Sequence, residues 1–319
     1  MTDQTSPGAS SARTPRIRLG LVGFGNWAHD AHIPVLALLP QYEITAVYSQ
    51  RGEAARKAAE EFGIPHVAGT LDELVNHPDV DMVLVLTTAP QHEVAVRAAI
   101  AAGKDVYSEW PLTPDPRTSA ELLRLAKEAG VRTVIGVQRD LAAAFRYARD
   151  LIDDGYVGSI RSVRMHVSVP FFGGTRPEAM RWSIPEETFL SVVAVFGGHL
   201  LTPLFSVVGR PREFSAVAVN QFPEVTIQET GEQVPSTAKD QLILAGTLVG
   251  GGVLSVHIEG GKQFGSGVQI DITGTAGDLR ISNTSAYGGV NENYQVEGGH
   301  EGDTVMAPLP IPAQYDRLP

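Results

Sequence analysis

The residues able to do chemistry lie in a few short runs. The first, Leu19-Gly20-Leu21-Val22-Gly23-Phe24-Gly25-Asn26-Trp27-Ala28, sets a Gly-x-Gly-x-x-Ala turn directly behind an apolar strand and ahead of a segment of helical period. In that context Gly23 permits the tight turn and Gly25 lets the backbone approach a pyrophosphate. The helix start that follows supplies unpaired N–H groups for its negative charge. Gly23, Phe24, Gly25, Asn26 and Trp27 therefore read as a dinucleotide-binding turn.

About 20 residues past such a turn, an acidic side chain normally holds the ribose diol of NAD. Here the chain has Tyr48-Ser49-Gln50-Arg51, with no carboxylate. Ser49 can hydrogen-bond a 2′-phosphate and Arg51 can pair with it, so NADP is favoured over NAD. Thr87, Thr88, Pro90 and His92 follow another strand, and Glu109 and Trp110 a further one, at the sheet edge where doubly wound folds bind ligands. All six are candidates to contact cofactor. Trp110 suits either packing between domains or an aromatic face against nicotinamide.

Positioning these runs requires a parallel sheet. Between Arg16 and about Val137, apolar runs at Ile17 to Val22, Glu43 to Tyr48, Met82 to Thr87, Asp105 to Ser108 and Thr133 to Gly136 read as strands. They alternate with helical periods at Ala31 to Leu39, Gly52 to Phe62, Gln91 to Ala102 and Pro116 to Ala129. A linking helix is expected over Ala142 to Asp154. Beyond Gly158 alternating strands take over, at Ile160 to Val169, Glu213 to Asn220, Gln241 to Leu248, Val253 to Glu259, Gly267 to Thr273 and Leu279 to Ser282. One helix, Glu186 to Val207, interrupts them. The expected fold is α/β: an N-terminal doubly wound Rossmann domain over 16–140, then a C-terminal α+β domain with a largely antiparallel sheet over 141–319. Residues 1–15 read as a disordered tail, and the proline-rich end as an extended strap or ragged end.

Bulk properties exclude several classes. The chain of 319 residues carries a net charge of −11, which disfavours direct nucleic-acid binding, and no cysteine, which removes disulfides and thiolate chemistry. No apolar run approaches the roughly 20 residues of a membrane helix, and no signal peptide is recognisable, so a cytoplasmic location is expected. No metal site is expected, because His166, His199 and His257 lack convergent carboxylates or close spacing.

Taken together these segments resemble the glucose–fructose oxidoreductase/inositol dehydrogenase (Gfo/Idh/MocA) family over nearly the whole chain. The likeness is strongest to its fungal galactose-regulon repressor branch, in Ala46-Val47-Tyr48-Ser49, Glu109-Trp110, Asp154-Gly155-Tyr156-Val157-Gly158 and Phe196-Gly197-Gly198-His199. The resemblance implies an NAD(P)-dependent oxidoreductase acting on a sugar, cyclitol or related polyhydroxy compound. Nicotinamide would lie over Glu109 and Trp110, and substrate between the domains near His199, with Gln138, Arg139 and Trp182 as further pocket residues.

Two family groups are replaced. The motif lysine is Trp110, and the aspartate four residues before the histidine is Val195. Neither can accept a proton or favour a developing alkoxide, which leaves His199 as sole candidate general base. The alternative is therefore a catalytically silent NAD(P)-binding sensor or regulator. The family also commonly dimerises through its second sheet, for which the alternating Leu254, Val256 and Ile258 would suit, so a homodimer or higher homo-oligomer is expected. The chain is expected to lack the family's C-terminal return helix.

Overall fold

The computed structural model describes residues 16–265, 267–286 and 294–315. The expected tail at 1–15 and the last four residues of the proline-rich end lie outside them. Two compact units emerge. One runs up to Thr87 and includes Gln91–Ser108 and Arg117–Val134; the other takes Thr88–Pro90, Glu109–Pro116 and the chain from Ile135. The second unit thus recruits two sheet-edge segments that a single cut near residue 140 would leave in the first.

The first sheet has six strands: β1 (Ile17–Val22), β2 (Tyr42–Tyr48), β3 (His66–Val67), β4 (Met82–Val85), β5 (Asp105–Glu109) and β6 (Thr133–Gly136). Their order is β3-β2-β1-β4-β5-β6, with β1 parallel to both β2 and β4. This is the doubly wound order, whose reversal between β1 and β4 opens a crevice at the carboxyl edge. Helices α1 (Ile33–Ala37), α2 (Gly52–Phe62), α3 (Leu71–Val75), α4 (Ala89–Ala101) and α5 (Pro116–Ala129) complete it. The helix expected over Ala31 to Leu39 instead begins with a π-helical turn, Ala28–His32, before α1. Leu19, Leu21, Val47 and Leu84 fill the core between these layers.

Among the described residues, the second unit holds α6 (Ala143–Asp153), α7 (Val192–Val208) and eleven strands: β7 (Ile160–Ser168), β8 (Thr175–Arg176), β9 (Pro211–Val219), β10 (Glu224–Ile227), β11 (Gln233–Pro235), β12 (Gln241–Leu248), β13 (Val253–Glu259), β14 (Gly267–Gly274), β15 (Gly277–Asn283), β16 (Gln295–His300) and β17 (Ala307–Pro308). Eight form one sheet in the order β17-β16-β15-β14-β7-β13-β12-β9, antiparallel except where β13 meets β7. Three short strands, β11-β10-β8, form a separate sheet that sequence periodicity did not reveal. The proline-rich end is a strap: Leu309 N donates to Val296 O, and the Tyr315 hydroxyl reaches Asp150 at 2.6 Å.

Two expectations are corrected. The segment Glu186 to Val207 is not one helix: a 3-10 turn at Glu186–Thr188 ends on Phe189 in the left-handed region (φ 55°), and α7 starts afresh with Ser191 as its cap. The stretch Glu186–Val208 is nevertheless long and apolar enough to cross a membrane, contrary to expectation, although more than half of that apolar window is buried in this unit. Second, Leu254, Val256 and Ile258 do not face outward. They are buried in the core shared with α7, and the open face of the sheet carries their neighbours Val253, Ser255 and His257. Alternation identifies two faces of a strand but not which one is covered.

Candidate functional site

In the first unit, β1 delivers the glycine turn into the crevice. Gly23 donates its N–H to Tyr48 O (2.8 Å) and sits at φ +90°, where a side chain is strained. A Cβ there would also lie 2.7 Å from Thr87 Cγ2 and 3.0 Å from Thr87 N, so β1 and the segment after β4 require glycine for their own packing. Gly25 differs: no heavy atom lies within 4 Å of its Cβ position. Nothing in the described chain demands glycine there, whereas a pyrophosphate drawn close to the backbone would. The residues therefore fit a dinucleotide. Phe24 packs toward Phe62, while Asn26 and Trp27 are exposed.

The neighbouring candidates fall into two groups. His92 is buried, and its Nε2 donates to Thr87 O at 2.8 Å, bracing the segment that touches Gly23. Thr87 itself has a buried hydroxyl with no partner among the described residues. Thr88 and Pro90 are exposed at the start of α4. At the end of β2, Ser49 Oγ accepts the Arg51 N–H at 3.2 Å, and Arg51 is exposed at the cap of α2.

In the second unit a different cluster forms on α7. Two successive glycines inside a helix cost roughly 1 kcal/mol each relative to alanine, which signals close approach by something else. The visitor is Trp110. A Cβ on Gly198 would overlap its Cε2, Nε1 and Cζ2 atoms, and the indole Nε1 donates to Ala194 O at 2.9 Å. The ring thus lies on the helix turn that bears His199, with its only donor spent on the helix backbone. Val195, also on this helix, is partly buried against the apolar core.

His199 is 8 % exposed, and its Nδ1 has no partner among the described residues. Burial lowers its pKa to about 4, helped by the Arg139 guanidinium and opposed by the Glu109 carboxylate. The imidazole is therefore neutral at physiological pH. Because the folded-state value lies below the ordinary one, the unfolded chain binds the proton first, and His199 lowers stability as pH falls from about 6.5 toward 4. A histidine-detected NMR titration should accordingly find one ring with a midpoint near 4 that disappears in His199→Asn. A midpoint above 6 would mean that the ring is solvated.

Arg139 is itself buried, donates from Nη2 to Ala286 O at 2.6 Å, and holds its guanidinium 5.7 Å from the Phe196 ring centroid. Phe196 meets Phe172 edge-on at 6.2 Å, and Arg176 lies 5.6 Å from the Phe172 centroid. Sequence reading missed Phe196 and Arg176 as members of this cluster. An arginine in a short polar segment gives no sign that it will be buried. Of the other pocket candidates, Gln138 is exposed beside Arg139, and Trp182 is exposed on a 3-10 turn (Glu178–Ser183). Among the described residues, neither makes a hydrogen bond or ring contact with His199.

Contrary to the expectation from their spacing in the chain, His166 and His257 lie close together and next to a carboxylate. His166 and His257, 91 positions apart, face each other across β7 and β13 with ring centroids 5.3 Å apart, and His166 Nε2 lies 3.0 Å from Glu259 Oε1. Even so, among the described residues no three His, Asp or Glu side chains are grouped to hold a metal ion.

Residues 17–137 match the model of an oxidoreductase family with an NAD-binding Rossmann fold, and residues 144–283 match that of the Gal80p C-terminal domain. The galactose/lactose metabolism regulatory protein GAL80 of Saccharomyces cerevisiae is 26 % identical over 294 residues, covering 85 % of this chain and 68 % of that protein. Dehydrogenase aclE of Aspergillus oryzae is 30 % identical over 224 residues, covering 67 % of this chain and 61 % of the relative. The chain thus spans about three fifths to two thirds of these curated relatives. Among solved structures, a super-repressor mutant of Gal80p from Saccharomyces cerevisiae superposes with a TM-score of 0.84 at 25 % identity, covering 92 % of this chain and 81 % of that one.

Proposed function

Because the chain belongs to the Gfo/Idh/MocA oxidoreductase family, with an NAD(P)-binding Rossmann domain ahead of a Gal80p-type C-terminal domain, we infer that it is a dinucleotide-responsive sensor or regulator that does not transfer hydride. The observation that carries this reading is Trp110. Where the family has a lysine, the indole is pressed on Gly198 and its N–H is given to Ala194 O. Bound nicotinamide would supply a hydride acceptor, but oxidation of a carbinol also needs a base for the hydroxyl proton. Trp110 and Val195 offer none, and a histidine with a pKa of about 4 is a weak one at neutral pH. The effector is a small polyhydroxy compound.

The second reading, an oxidoreductase for a sugar or cyclitol, is favoured by the retained His199, whose orphan Nδ1 is an address for a ligand hydroxyl. The similarity to a dehydrogenase supports it. Titrating the protein with NADP and NAD by tryptophan fluorescence, then scanning sugars and cyclitols for reduced-cofactor absorbance, separates the two. Binding without turnover supports the sensor. Turnover that is lost in His199→Asn would make it an enzyme.

NADP is the dinucleotide this reading favours, on Ser49, Arg51 and the absence of a carboxylate after β2. Arg51→Ala should weaken NADP by about 1–3 kcal/mol and leave NAD nearly unchanged, measured calorimetrically. Equal losses for both would make Arg51 a bystander. A homo-oligomer through the open face of the large sheet is also proposed, supported by Val217, Ile243 and Val253, which are all more than half exposed there. Sedimentation of Ile243→Glu against the parent chain tests it.

A further inference from the structure

Arg176 is among the largest fully buried side chains; the buried Asp240 carboxylate acts on its charge, but no ion pair between them forms among the described residues. A guanidinium buried without a contacting carboxylate is costly unless its donors are satisfied otherwise. Here they are spent on backbone: Nε on Gly173 O (3.3 Å), Nη2 on Phe172 O (3.3 Å), and Nη1 on Ser183 O (2.8 Å) and Ser183 Oγ (3.0 Å). Two of those carbonyls belong to a strained turn. Phe172 has φ 63°, a conformation that a bulky residue keeps only when its surroundings enforce it. Methionine or leucine would fill the same volume but could not gather these carbonyls.

What the turn achieves is the placement of a ring. Phe172 is 5 % exposed, set edge-on to Phe196 at 85° between ring planes. Phe196 precedes His199 by one helical turn of α7, and Arg139 stacks on that same Phe196 ring. The contacts Arg176–Phe172–Phe196–Arg139 are thus continuous from one buried cation to the cation beside His199.

We propose that Arg176 is a positioning residue for the His199 site: its guanidinium holds Phe172 in the left-handed turn, and the Phe172–Phe196 contact transmits that hold to the placement of Arg139 beside His199. The proposal rests on the reading that His199 faces the ligand, but its test needs no ligand. In Arg176→Met, Phe196 and Arg139 lose their register, and the cation no longer stands fixed beside the imidazole.

The experiment is a histidine-detected NMR titration of the full chain, with the His199 signal assigned through His199→Asn. Arg176→Met should move the His199 midpoint from near 4 toward the ordinary value by about one unit, while the remaining histidines titrate as before. A purely structural role would lower the melting temperature without moving that midpoint in the folded protein. Because Arg176→Met can fail to fold, Phe172→Leu, which keeps apolar volume and cuts only the ring contact, is titrated alongside it. An unchanged His199 midpoint in either folded variant overturns the proposal. Failure of any sugar or cyclitol to bind, with the midpoint shifted as expected, would instead count against the ligand reading.

Discussion

Replacing Gly198 by alanine should destabilise the protein by about 1–3 kcal/mol, and the same substitution should become stabilising once Trp110 has been cut to alanine. The first half follows from overlap. The new methyl would occupy the space of the indole Cε2, Nε1 and Cζ2 atoms, which belong to a rigid bicycle and cannot bend aside as a side-chain tip would. Moving the ring forfeits the Nε1 bond to Ala194 O, worth about 1 kcal/mol, and overpacking a well-filled contact costs about 1–3 kcal/mol more. Against these stands the better helix propensity of alanine, about 1 kcal/mol. With Trp110→Ala the overlap vanishes and only propensity remains, so the sign reverses. Chemical denaturation of the four proteins of this cycle measures the coupling directly. Additive effects would mean that the indole does not rest on Gly198.

Such couplings mark the limit of what sequence reveals here. The helices Gly52–Phe62 and Pro116–Ala129 and the strands Ile17–Val22, Gln241–Leu248 and Val253–Glu259 carry their own boundaries, because periodicity and glycine or proline punctuation agree. Segments of two to four residues, such as β8, β10 and β11, are too short to show a period. The Glu186 to Val207 stretch misleads for the opposite reason: from Phe189 on it is predominantly apolar, so neither the left-handed Phe189 nor the fresh start at Ser191 interrupts the pattern.

The site divides along the same line. The glycine turn after β1 is local and legible, as is the lack of a carboxylate after β2. Trp110 and His199 can each be singled out from their motifs, but not the contact of Trp110 with Gly198, which joins residues 88 positions apart. The burial of Arg139 and Arg176 is decided by loops whose course no local pattern encodes, and their charges make exposure the natural expectation. Chemistry-bearing residue types are visible in sequence; their environments, and with them their proton affinities, come from long-range packing.

The two glycines of the dinucleotide turn allow a sharper separation of fold from function. Gly23 is required by the fold, through its φ of +90° and the nearness of Thr87, so Gly23→Ala should cost stability and binding together. Gly25 has no such constraint: open space surrounds its Cβ direction, and its φ is not in the left-handed region. Gly25→Ala and Gly25→Val should therefore leave the melting temperature within about 2 °C of the parent, since surface substitutions of this kind change stability by about 0.5 kcal/mol or less. Their effect should fall on NAD(P) instead. A branched side chain would stand where the pyrophosphate must approach the backbone, and valine should weaken binding by about a hundredfold or more, alanine by less. Isothermal calorimetry with NADP and NAD on melting-matched proteins reads the series. Undiminished affinity in Gly25→Val would mean that the dinucleotide does not use this turn, whereas a graded loss at constant stability identifies Gly25 as the point where backbone and pyrophosphate meet.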